Sequence, residues 1–167
     1  MTDDMTARLA LPLLSAGQAQ KEMSHNEALA LLDLFVQPVV LAVGIDTPPA
    51  TPAAGQCWIV GAAPTGVWAG HAQHLAGWTE GGWRFCIPKM GMRAWNLADA
   101  DEALFDGSGW SVGILRGARL EIQGVQVVAV QQSAIAAPSG GTIADAEARE
   151  AISAILAALH THGLIAA

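Results

Sequence analysis

The sequence predicts an α+β fold: a small antiparallel β-module rich in tryptophan and glycine, flanked by an N-terminal helix and a C-terminal oligomerising helix. Three observations carry this expectation. All six tryptophans (Trp58, Trp68, Trp78, Trp83, Trp95 and Trp110) fall in one stretch dense in glycine. Two pieces of that stretch, Gly77-Trp78-Thr79-Glu80-Gly81-Gly82-Trp83 and Leu104-Phe105-Asp106-Gly107-Ser108-Gly109-Trp110, each pass from an apolar residue through an acid and glycines to a tryptophan. An acid followed by glycine between apolar runs marks a tight turn, because glycine accepts φ > 0. Short strands joined by hairpins follow, with tryptophans pinning one strand to the next. The third observation is that helix-start and helix-stop signals lie on both sides of this stretch.

In chain order, Leu9-Ala10-Leu11-Pro12-Leu13-Leu14 is apolar but interrupted by proline, which predicts an extended arm over residues 1–14. Ser15…Gln18 and Ser24…Glu27 both fit a capping box. The second opens a helix from Ser24 to about Gln37, closed by Pro38. Its apolar positions, among them Leu29, Leu32, Phe35 and Val36, wrap most of the circumference and predict burial on several sides. His25 and Asn26 read as polar groups of the first turn.

Val39 to Ile45 is a strand-like run, and the proline-rich loop 47–55 marks the boundary between the helical front (1–46) and the Trp module (47–131). Strands are expected near 56–61, 74–79, 82–87, 92–97, 102–106 and 110–115. A further hairpin turns at Gln123-Gly124, where Leu120 and Ile122 alternate with Arg119, Glu121 and Gln123. Residues 132–141 are a linker. The last piece, Thr142 to His162 within 142–167, is the strongest helix: alanine-rich, acidic at its start and stopped by Gly163. Ala148, Ile152, Ile155 and Leu159 form an a/d seam, and isoleucine at both positions favours trimers or higher assemblies.

Composition sharpens the case for assembly. Hydrophobic residues make up 52% of the 167 and charged residues 14%, with mean hydropathy +0.36. Soluble domains use nearer one quarter charged residues. No run reaches the ~18 uncharged apolar residues of a membrane span, and the acidic start Met1-Thr2-Asp3-Asp4 lacks a secretory signal's basic region. The surplus apolar surface therefore predicts burial against other subunits, with Leu29, Leu32, Phe35, Val36 and the seam of the last helix as the interface. A net charge of −7 argues against nucleic-acid binding. Cys57 and Cys86 read as reduced core thiols.

No phosphate loop, zinc spacing or nucleophile elbow is present, so no catalytic residue, cofactor or metal site is expected. His71 with His74, and His160 with His162, lack cysteines or carboxylates at ligand spacing, so neither pair specifies a metal. Asp99, Asp101, Glu102 and Asp106 read as solvated turn acids. Arg84, Lys89 and Arg93, flanked by Trp83 and Trp95, form a basic aromatic stretch with no acid between Gly81 and Ala98. Such a stretch suits contact with acidic polysaccharide, or else arginine stacking on tryptophan within one sheet.

The stretch Leu11-Pro12-Leu13-Leu14-Ser15-Ala16-Gly17-Gln18-Ala19-Gln20-Lys21-Glu22, followed by Ser24-His25-Asn26-Glu27-Ala28-Leu29, resembles a domain family of unassigned function. That family is common in alphaproteobacterial prophages, phage tail-fibre proteins and phage-like gene transfer agents. The likeness continues through Gln56-Cys57-Trp58-Ile59-Val60, Gly66-Val67-Trp68-Ala69-Gly70-His71, Gly82-Trp83-Arg84-Phe85 and Gly91-Met92-Arg93-Ala94-Trp95, covering roughly residues 9–115. The resemblance implies a homo-oligomeric head-spike or tail-fibre protein, trimeric or pentameric, with other virion proteins of the head vertex or tail as partners. It further implies a place in a phage-like particle assembled in the bacterial cytoplasm and a contribution to host attachment; the family has no established catalytic residues to carry over, and with no catalytic motif the chain is expected not to be an enzyme. Its alternative is a glycan-binding adhesin module that contacts host capsular polysaccharide through Trp83, Arg84, Lys89, Arg93 and Trp95.

Overall fold

The computed structural model describes residues 5–15, 21–141 and 145–166, and the chain forms two compact units, Met1–Ile114 and Leu115–Ala167. The class is α+β. The division falls after the eight strands of the first unit, and the proline loop lies inside that unit.

The first unit opens with helix α1 (Lys21–Phe35). It begins three residues before the expected start, so Ser24 lies within the helix and does not cap it; Gln18 of the other predicted capping box lies outside the described residues. Gln37 takes φ 47° and ends the helical path just before Pro38. The strand-like run then splits in two: β1 (Val39–Val40) and β2 (Val43–Ile45). Next come β3 (Cys57–Val60), β4 (Leu75–Thr79), β5 (Gly82–Cys86), β6 (Arg93–Asn96), β7 (Asp101–Phe105) and β8 (Trp110–Val112).

These strands make two four-stranded sheets, ordered β1-β6-β7-β8 and β2-β3-β4-β5. Each is mixed, where the sequence led us to expect antiparallel pairing throughout. Val39 and Val40 run parallel to Trp95 and Asn96, and β2 runs parallel to β3. The cause is the split run, which enters one sheet and then the other instead of turning back on a hairpin.

The hairpins themselves follow the turn signals. Trp78 lies directly opposite Trp83, and Phe105 opposite Trp110. Their rings sit 5.0 and 5.3 Å apart between centroids, the spacing at which aromatic pairs attract. In the second turn the Asp106 carboxylate accepts from the Ser108 and Gly109 amides at 2.9 and 3.0 Å, while Gly107 takes φ 100°. This is the local side-chain turn that aspartate and glycine favour.

β3 is buried on both faces, which is why it reads as an unbroken apolar run. Cys57 and Ile59 face a core with Leu34, Val40, Leu75, Ala94 and Ala103, drawn from α1 and both sheets. Trp58 and Val60 face the other way, with Trp68 and Ala76. Helix α1 reaches the first core at Gly77: a Cβ there would lie 2.6 Å from Leu34 Cδ1, so only glycine admits this approach.

The N-terminal arm does not extend away. Residues 5–12 form a small loop in which Met5 bridges Pro12 and the Thr6 amide donates to the Leu11 carbonyl at 3.0 Å. The loop closes on Asp33, a buried carboxylate that accepts from Thr6 Oγ1 at 2.7 Å and from the Arg8 and Leu9 amides. Arg8 returns its guanidinium to the end of α1, donating to the carbonyls of Asp33, Leu34 and Gln37. A cation on the last carbonyls of a helix satisfies groups that have no partner within it.

The second unit holds a hairpin, β9 (Leu120–Ile122) and β10 (Val125–Val128), and helix α2 (Ala146–Thr161). Gln123 and Gly124 both take positive φ, 51° and 77°, as a two-residue hairpin turn requires. Asp145 caps α2 through its side chain, which accepts from the Ala148 amide; the expected start at Thr142 lies outside the described residues. At the other end Gly163 takes φ 68°, and its amide and that of Leu164 donate to the His160 and Leu159 carbonyls, both at 2.9 Å. That is the left-handed glycine stop expected there. Gln132 pairs in parallel with Ile165, and Arg149 donates to the Pro138 and Gly140 carbonyls, tying the linker to the helix. No helix among the described residues is long and apolar enough to cross a membrane.

Candidate functional site

The sequence placed Trp83, Arg84, Lys89, Arg93 and Trp95 in one basic aromatic stretch. In the folded chain they belong to different strands and different surroundings. Trp83 on β5 is absorbed in an aromatic cluster, 5.5 Å from Trp58, 5.1 Å from Trp68 and 5.0 Å from Trp78 between ring centroids. Arg84, its neighbour on β5, points to α1 and meets Glu27 with two nitrogens on two oxygens, at 2.5 and 2.9 Å. It also donates to the Gly81 and Trp83 carbonyls. That fork geometry raises the Arg84 pKa and commits the guanidinium to holding the helix. Lys89 is exposed on the loop after β5.

Arg93 and Trp95 do come together. Both lie on β6, where alternate residues face the same side. With Gln37, Pro38, Val39, Ala94 and Glu102 they line an open depression of about 380 Å³. Trp95 is 47% exposed, and the Arg93 guanidinium pairs with Glu102 beside it. An exposed indole beside a charged pair offers a flat apolar face and hydrogen-bonding groups at its edge, the two things a sugar ring uses.

A larger cavity of about 520 Å³ lies between the arm, α1 and the β4–β5 turn. Asn26, Glu27, Glu80, Arg84 and Trp78 are among its lining. Several of these polar groups already have partners. Asn26, expected as a first-turn residue, instead exchanges two hydrogen bonds with the backbone of Leu14, at 2.9 and 3.0 Å. Glu27 is held by Arg84.

The remaining candidates are equally informative. His25 Nδ1 lies 2.8 Å from the Lys21 carbonyl, a contact within the helix. Asp99 accepts from the buried Asn96 at 2.6 Å, and Asp101 accepts from the Glu102 amide at 2.8 Å. Among the described residues no three His, Cys, Asp or Glu side chains gather as a metal site. Cys57 is fully buried, and that burial pushes its thiol up to about 11; Cys86 is also raised by burial. Both cysteines are free.

Of the residues expected at an interface near the N-terminal helix, Leu32 and Val36, the latter just past the end of α1, are exposed and Leu29 is half-buried, but Phe35 packs against its own core. On α2 no residue is buried, and Ile152 and Ile155 stand open, Ile155 at 59%. The hairpin β9–β10 is exposed at every position on both faces. Sequence reasoning passed over these hairpin residues as an interface, although Leu120, Ile122, Val125, Val127 and Val128 were visible as an apolar pair of strands with no third to cover them.

These features define the class: an α+β module of two mixed sheets locked by tryptophans, followed by a short unit with uncovered apolar faces. The chain belongs to the family described as Protein of unknown function (DUF2793), which it matches over residues 25–111, more than half its length and wholly within the first unit. No curated protein matches it.

Proposed function

We propose that the protein is a structural component of a phage-like particle, a gene transfer agent or tailed prophage, acting as a homo-oligomeric head-spike or tail-fibre protein that contributes to host attachment. The observation that carries this reading is the second unit. A lone two-stranded hairpin and a lone helix of this length are both marginal in water. Here each exposes its apolar side chains, up to Val125 at 64%, and a surface of that kind is held in an assembly. The a/d seam of α2 favours a copy of the same chain as partner, and closed symmetry follows. The particle context rests on the resemblance of the segment around residues 11–29. In this reading the first unit is the rigid body, and no reaction is assigned to it.

Native mass measurement at micromolar concentration tests the assembly: a trimer or pentamer is expected, and a monomer overturns it. Imaging of particles from a host carrying the gene, with and without this chain, tests the context; loss of a vertex or tail projection is expected, and unaltered particles overturn it.

A second reading, a glycan-binding adhesin, is favoured by one observation: the exposed Trp95 beside Arg93 and Glu102. Titration with host capsular polysaccharide should shift the tryptophan fluorescence, and the shift should vanish in Trp95→Ala. A flat titration removes this reading and leaves the structural one intact.

A further inference from the structure

His71 and His74 lie on the turn that leads into β4, and their spacing in three dimensions carries information that their spacing in sequence does not. The two Nδ1 atoms face each other at 3.2 Å. Metal–imidazole bonds of about 2.0–2.1 Å at a tetrahedral angle place two ligand nitrogens about 3.3 Å apart. The observed pair is already at that separation.

The turn is fixed on every side. The His71 amide donates to the Trp68 carbonyl at 3.0 Å, and the His74 amide to the His71 carbonyl at 3.1 Å. The Val60 amide on β3 donates to the His74 carbonyl at 2.9 Å, and Trp110 Nε1 donates to the Gln73 carbonyl at 2.9 Å. Gln73 itself takes φ 64°, the left-handed conformation that brings the two rings to the same side of the turn. The His71 ring lies flat on Phe85, 3.6 Å between centroids with planes 6° apart. Ligands whose backbone and ring orientation are set beforehand lose little freedom on binding.

We propose that His71 and His74 form a two-imidazole binding site for a divalent first-row transition ion, with water completing the coordination. Without the ion, one Nδ1–H donates to the other Nδ1, which requires opposite tautomers. With it, both Nδ1 lone pairs go to the metal, and the displaced proton moves to the Nε2 of the same ring. Two protein ligands make a weaker site than the three or four of zinc enzymes and structural zinc modules, and affinity should rise from Zn²⁺ to Cu²⁺. The site is independent of the particle reading, since both ligands come from one chain.

The test uses the untagged full chain with Cu²⁺ and Zn²⁺ added singly. Cu²⁺ should bind with an electron paramagnetic resonance pattern of two equatorial nitrogens, and either ion should raise the melting temperature of the first unit. His71→Gln and His74→Gln should each weaken Cu²⁺ binding at least tenfold and abolish the two-nitrogen pattern. His71→Phe keeps a ring against Phe85 and should melt like the parent without metal, yet lose the metal-induced shift. The double variant His160→Gln/His162→Gln should bind as the parent does. Unchanged Cu²⁺ binding in His71→Gln/His74→Gln, or its loss in His160→Gln/His162→Gln, would overturn the proposal.

Discussion

The two units of this chain hide their apolar residues to very different degrees. In the first, every strand of the β2–β5 sheet finds a neighbour, β3 is covered on both faces, and helix α1 seals the core through Leu34. In the second, the hairpin has no cover on either face and α2 has no buried residue. Composition averaged over the chain hides this contrast. The two units are almost equally apolar in composition, so the contrast lies in what covers those residues and not in how many there are. One unit holds two buried cores, and the other leaves its hairpin and its helix open.

Placing charge on the seam should break the contrast most severely. Ile152→Asp with Ile155→Asp should dissociate the proposed assembly, lowering its association constant by a hundredfold or more. Amides of residues 120–166 should then exchange freely while those of β3 and β4 stay protected, as hydrogen exchange would reveal. If β3 and β4 lose protection too, the first unit depends on assembly and the distinction fails.

Asp33→Ala leaves the amides of Arg8 and Leu9 without their acceptor and should cost about 1–2 kcal/mol, because these donors are only partly buried and water can reach them. Denaturant unfolding measures it, and tryptic cleavage after Arg8 should accelerate in parallel.

Alkaline pH probes the buried thiol. The Cys57 pKa is about 11 in the folded chain, against 9.0 ordinarily, so the native state retains a proton that the unfolded chain loses. Stability from this group is complete below pH 9 and lost as pH rises towards 11, a change of about 2–3 kcal/mol at 1.36 kcal/mol per unit. Cys57→Ala should flatten that part of the stability–pH curve.

Gly77→Ala drives a methyl into Leu34 and should cost about 2 kcal/mol by overpacking, visible as a lowered denaturation midpoint with unchanged slope. The smallest effect is expected at Trp95→Ala, within about 0.5 kcal/mol because the indole is already half in solvent. A larger loss would mean that Trp95 serves the sheet more than a ligand.

What could be read from the sequence was whatever is decided locally. The Glu80-Gly81, Asp106-Gly107 and Gln123-Gly124 turns, the β3 run and the Gly163 stop are each settled by residues within a few positions, and each lies where the pattern put it. Long-range partners were not legible. Ser24 and Glu27 satisfy a capping box on paper, but Glu27 is drawn to Arg84 and Asn26 to Leu14, and the helix starts earlier. The arm was expected either to pack on its own domain or to reach a neighbour, and nothing near it in sequence announces that its partner is Asp33. The basic aromatic stretch dispersed because β5 and β6 belong to different sheets. Conversely, the spacing of His71 and His74 in sequence did not announce that their Nδ1 atoms face each other across a turn in which Gln73 takes positive φ.

The short run that divides between two sheets has a mechanical consequence. Val40 is bonded into one sheet by the Leu97 amide, and the very next residue, Leu41, donates to the Cys57 carbonyl of the other. A pull arriving along α1 therefore reaches both sheets almost at once, and they cannot peel apart in sequence like the leaves of a zipper. The load is shared across many hydrogen bonds in parallel, so the first unit should yield late and all together under tension.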